Sequence, residues 1–185
     1  MKILKILLLI FLLIAGISAQ ERPGRWLVDG KPETESDWSK AKNGFGANLI
    51  VVVDPKAFIE MWNRPEQPDI HTAKEVTKGQ LFGAFILFAG CRAGKDGNCD
   101  ATVSFTVVGP DGKTIAERAN QIIWNGPSLD AKTTYLGKAV LGLTFMEHNV
   151  LGKYTIIASV SDKNAPASFE LKSEVELKPN GSGSV

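Results

Sequence analysis

The chain has 185 residues, of which 21 are basic and 20 acidic, for a formal net charge of +1. So even a balance lacks the basic excess needed to neutralise phosphates, which argues against a nucleic-acid partner. The length suits one domain with a real hydrophobic core.

Lys2 and Lys5 open the chain, Ile6 to Ala15 is an unbroken apolar run, and small residues end at Ala19 before the polar stretch from Gln20. A charged start, an apolar centre and a small residue at the cut read as a secretory signal peptide over 1–19. The run is shorter than the ~20 residues a spanning helix needs, so the mature form is not expected to span a membrane. Removing 19 of the 185 residues leaves 166, with 19 basic and 20 acidic side chains and a charge of −1. The expected location is periplasmic or secreted.

Residues 20–45 have little periodicity and read as an extended arm that Trp26 and Trp38 pin to a domain over 46–178. Asn48 to Val53 reads as a buried strand. Asp54 then offers a cap, Pro55 suits the first helical position, and Phe58, Met61 and Trp62 share one face of a short helix. Residues 64–80 are polar, contain prolines and are expected to be loop.

From Leu81 the period becomes two. Leu81–Ala89 is apolar on both faces, as in a central strand, and Ala101–Val108 alternates. Gly109-Pro-Asp-Gly112 is a turn, and Lys113–Ala119 and Gln121–Trp124 are short strands. Tyr135–Phe145 and Tyr154–Ser161 alternate again. In the last strand Phe169, Leu171, Val175 and Leu177 point in, while Glu170, Lys172, Glu174, Glu176 and Lys178 point out, so one face of its sheet is wet. Residues 179–185 form a loose tail. About seven strands, short turns and no alternation of strand with helix predict an all-β, antiparallel sandwich with one short helix; a closed barrel is the alternative.

Two stretches, residues 107–115 and 151–177, resemble hairpins of bacterial secreted immunoglobulin-like β-sandwich proteins. Gly152 and Tyr154 are similar to the turn-and-tyrosine start of a late strand in that fold. Ile156 stands where antibody domains carry the second core cysteine, and Val150 where they carry an acid. The resemblance covers roughly residues 80–178 and implies the architecture, not an active site.

Both cysteines lie in Gly90-Cys-Arg-Ala-Gly-Lys-Asp-Gly-Asn-Cys99. In an exported chain they are expected to form a disulfide, a clip on a glycine-rich loop contributing roughly 2–3 kcal/mol. Asp96, Asn98 and Asp100 mimic the start of a calcium loop, but Ala101 and Val107 stand where that loop needs glycine and glutamate. A looser calcium site shared with a neighbouring loop stays open. Zinc lacks a ligand set, and the spacing is wrong for a redox pair, so neither a metal nor another cofactor is expected.

His71 and His148 read as surface residues. No Gly-x-Ser-x-Gly elbow and no phosphate loop is present, so the chain is expected not to be an enzyme. The leading reading is an exported sandwich that binds another envelope or extracellular protein through Arg92, Lys95 and Asp96 on the stapled loop. The second is a carbohydrate-binding or adhesion module using exposed Trp62 and Trp124. The third is a hydrolase whose carboxylates or histidines meet only in space.

Overall fold

The computed structural model describes residues 35–66 and 68–180, and the backbone of two short strands, β1 (Leu27–Val28) and β2 (Lys31–Pro32), which pair with each other. The expected signal peptide, Trp26 and residues 181–185 lie outside the described residues.

Alternating apolar side chains decide how the remaining strands layer. β3 (Ser39–Lys42), β4 (Phe45–Val52), β6 (Leu81–Ala89) and β9 (Tyr135–Thr144) make a four-stranded sheet in the order β3-β4-β6-β9. β5 (Glu75–Thr77), β7 (Asn98–Val108), β8 (Thr114–Pro127), β10 (Gly152–Asp162) and β11 (Ala167–Lys178) make a five-stranded sheet in the order β5-β11-β10-β7-β8. All these pairings are antiparallel except β5 with β11. The protein is therefore a two-layer β-sandwich, with nine strands in its main sheets among the described residues rather than about seven.

The core lies between the layers. Leu49, Val51, Phe82, Ile86 and Phe88 meet Val103, Phe105, Ile156, Leu171 and Val175, all buried. The expected alternation in β10 and β11 is present, with Tyr154, Ile156, Ala158 and Val160 inside. The four-stranded sheet is also covered on its outer face. There Ile50, Val52, Phe85 and Leu87 form a second cluster with Phe58 of helix α1 (Pro55–Trp62). This explains why Leu81–Ala89 is apolar on both sides. Asp54 caps the helix, its Oδ1 accepting the Ala57 N–H at 2.9 Å.

Three expectations change. The arm ends early: Ser39–Lys42 pairs with β4, and Phe45 is fully buried. The lysines of Ser-Lys-Ala-Lys concealed an edge strand whose charged ends lie along the neighbouring sheet. The 64–80 segment is not all loop, because Val76 enters the core and Glu75–Thr77 pairs in parallel with β11. The two strands read at 113–119 and 121–124 are one, interrupted by a bulge where Asn120 takes φ 52° and its N–H bonds Ser104 Oγ.

Hydrogen bonds cross between the sheets along one side, and along the other β8 and β9 pack without pairing, so the sandwich does not close into a barrel. On the first side Lys40 Nζ donates to Glu170 O at 2.8 Å, Asn43 Nδ2 to Pro166 O at 2.8 Å, and Lys172 N to Asp37 O at 2.7 Å. On the second side β8 and β9 are the edge strands, and Ile122 and Val140 stay exposed. Among the described residues no helix is long and apolar enough to cross a membrane.

Candidate functional site

The segment joining β6 to β7 leaves the core at Gly90, whose φ is 72°. A Cβ there would run into the Gly44 carbonyl oxygen, so only glycine lets the two backbones approach. Cys91 and Cys99 follow and form the disulfide, with Cα atoms 5.9 Å apart. Inside the clip, Gly94 N donates to Asn98 O at 2.7 Å and Gly97 N to Gly94 O at 3.0 Å. Asp96 accepts from the Asn98 side-chain amide at 2.9 Å and its backbone N–H at 3.0 Å. Those two bonds hold the Asp96 carboxyl below its ordinary value.

The turn between β10 and β11 grips this loop from below. Asp162 is almost fully buried. Its Oδ2 accepts the Arg92 N–H at 2.7 Å, and its Oδ1 accepts the Asn164 N–H at 3.0 Å. Asn164 Nδ2 donates to Arg92 O at 3.2 Å and to Asn98 O at 2.9 Å. Lys163 Nζ lies 3.1 Å from Asp100 Oδ1. The loop is thus fixed by a disulfide, its own turns and a second hairpin, while Arg92, Lys95 and Asp96 are exposed. Asp162 and Asn164 escaped the sequence reading. They sit 70 and 72 residues from Arg92, in a turn with nothing local to mark them.

Asp96, Asn98, Asp100, Asn125 and Asn164 line an open depression of about 360 Å³. Among the described residues no three His, Cys, Asp or Glu side chains gather as a metal site requires. Asp100 faces Lys163 and Asp96 faces Asn98, so both carboxylates are already engaged.

Trp62 and Trp124 come from different elements and line one depression of about 370 Å³ with Tyr135 and Lys138. Both rings are anchored. Trp62 lies 6.0 Å from Phe58, and Trp124 lies 6.3 Å from Phe88, with its Nε1 donating to Pro127 O at 3.1 Å. Lys138 Nζ sits 4.6 Å from the centre of the Trp124 ring, a cation–π contact. Trp38, expected to pin the arm, leaves 40 % of its surface exposed. At the far end of the sandwich Leu81, Met146 and Val150 are also exposed. His71 lies beside Asp69, 3.2 Å away, with both side chains exposed, and His148 is exposed in the β9–β10 turn.

Tyr154 supplies the structural signature behind the immunoglobulin resemblance. Its ring is buried 4.2 Å from that of Phe145, and its hydroxyl donates to Val150 O at 2.8 Å. A strand-opening tyrosine bonded back to the preceding turn is the tyrosine corner of that fold. Burial, with Asp111 nearby, pushes its phenol up from the ordinary 10.0.

Fold and corner define the class: a two-sheet β-sandwich of immunoglobulin-like form. No protein-family model matches the chain, and no curated protein matches it. Among solved structures it is similar to a family 123 glycoside hydrolase from Clostridium perfringens, at 10% identity and TM-score 0.37. That match covers 72% of this chain and 28% of the hydrolase. It is also similar to an immunoglobulin-like protein from Pseudomonas aeruginosa, at 16% identity and TM-score 0.34, covering 70% of this chain and 91% of that one.

Proposed function

We propose that the protein is exported to the periplasm or beyond and acts there as a non-catalytic module that binds another envelope or extracellular protein. The observation that carries this reading is the fixed 91–99 loop. Its backbone is held by the Cys91–Cys99 disulfide and by Asp162, while its charged side chains face outward. A loop ordered in advance loses little entropy on binding, so its contacts convert more fully into affinity. The disulfide also fits an oxidising compartment.

The test compares the oxidised protein with a triple variant, Arg92→Ala, Lys95→Ala, Asp96→Asn. Asparagine at 96 keeps an oxygen for the Asn98 N–H, so unfolding should shift by no more than ~0.5 kcal/mol. A partner retained from envelope extract by the parent and lost by the variant supports the loop. Equal retention by both removes it.

A second reading, a carbohydrate-binding or adhesion module, is favoured by the convergence of Trp62 and Trp124 on one depression. Lys138 covers the Trp124 ring, so a sugar stacking there must displace it. Lys138→Ala should then strengthen glycan binding, and an unchanged affinity counts against this depression.

A further inference from the structure

The outer face of the five-stranded sheet carries a depression of about 370 Å³ beside Trp38. It shares no lining residue with the stapled loop or with the Trp62–Trp124 depression.

Trp38 sits in a tight turn closed by Ser36 N to Ser39 O at 2.9 Å. Its backbone is fixed to both sheets: Leu49 N donates to Trp38 O at 2.8 Å, and Lys172 N donates to the neighbouring Asp37 O at 2.7 Å. Among the described residues Trp62 and Trp124 make ring contacts and Trp38 makes none. A rigid backbone therefore presents an indole that keeps 40 % of its surface exposed at the edge of a wet sheet face. The floor and rim beside it are polar: Asp37, Thr155, Lys172, Ser173 and Glu174. Glu174 is already oriented by Lys153, 3.0 Å away.

This combination has a specific chemistry. An anion site would gather cations alone, and a lipid site would be apolar. Here an indole lines the same depression as both donors (Lys172, Thr155, Ser173) and acceptors (Asp37, Glu174). A pyranose ring needs that pairing, because one face is a plate of C–H groups and its rim of hydroxyls both donates and accepts. The depression is within the size range of small-ligand sites. We propose that Trp38 and the β10–β11 surface form a subsite for one pyranose unit of a glycan.

The test follows the four indole N–H signals by NMR in the exported, oxidised protein, with the Trp38 signal assigned by its loss in Trp38→Phe. The probes are cellohexaose, chitohexaose and a hyaluronan oligosaccharide at millimolar concentration. The expected result is that at least one moves the Trp38 signal. Trp38→Ala should then weaken binding by roughly tenfold or more, and Trp38→Phe by less, with the melting temperature held in both. The loop triple variant should bind the sugar as the parent does. The proposal is overturned if no probe moves the Trp38 signal, if Trp38→Ala binds like the parent, or if the loop variant loses the sugar. Failure here leaves the protein-binding reading intact, since that reading is judged by capture through Arg92 and Lys95.

Discussion

Asp162 should be among the most sensitive positions outside the apolar core. The residue is 1% exposed, and its carboxylate accepts two backbone N–H groups, from Arg92 at 2.7 Å and Asn164 at 3.0 Å. A hydrogen bond to a charged group contributes roughly 1.5–3 kcal/mol. Asp162→Ala removes both and leaves two part-buried donors, so the expected loss is about 3–5 kcal/mol. Against a total stability of roughly 5–15 kcal/mol, that is a large fraction. Asp162→Asn keeps one acceptor but turns an NH₂ toward the other donor, so it should cost at least half as much. Urea unfolding of the oxidised protein gives the change from the midpoint at constant slope. Amide exchange at Arg92 should quicken in both variants. A loss below ~1 kcal/mol for alanine, with Arg92 still protected, would show that the disulfide and the loop's own turns hold it without Asp162.

Three further outcomes follow from the same geometry. Replacing Cys91 and Cys99 with serine should lower stability by about 2.5 kcal/mol in the chain-entropy model, because the bridge spans only eight positions; a loss beyond ~4 kcal/mol in urea would mean the bridge supports the core itself. Gly90→Ala should cost more than ~2 kcal/mol, because positive φ and contact with the Gly44 carbonyl act together, while Gly97→Ala, at φ 79° with open space around it, should cost only about 1; equal melting shifts would sink the steric account. Tyr154→Phe should cost about 1 kcal/mol, since the Val150 carbonyl it abandons belongs to an exposed residue. The parent should also lose stability as pH rises above the ordinary phenol value of 10.0, because the unfolded chain gives up that proton before the folded one does. Tyr154→Phe should remove that part of the alkaline slope, and an identical pH profile in both proteins would contradict it.

The two-residue period of β7, β10 and β11 was enough to predict a sandwich with one wet sheet face, because burial on one face of a strand writes itself directly into alternation. The helix was legible from Asp54, Pro55 and the spacing of Phe58 and Trp62 for the same local reason. The disulfide was legible because two cysteines leave a single intramolecular pairing. What could not be read depends on contacts distant along the chain. Ser39–Lys42 carries no apolar stripe, and it becomes a strand because β4 offers it a ladder and β11 accepts its lysine. Val76 is one apolar residue in a polar stretch, ordered by parallel pairing with β11. Asp162 and Asn164 look like ordinary turn residues until folding places them under a loop some 70 positions away. Sequence could count the tryptophans, but not which indoles find partners. Phe58 and Phe88 hold Trp62 and Trp124, whereas the turn at Ser36–Ser39 carries Trp38 out over the wet face of the sheet. Local pattern fixes which way a side chain points from its own strand. Only tertiary structure decides what stands opposite it, because that depends on where the other strands pack.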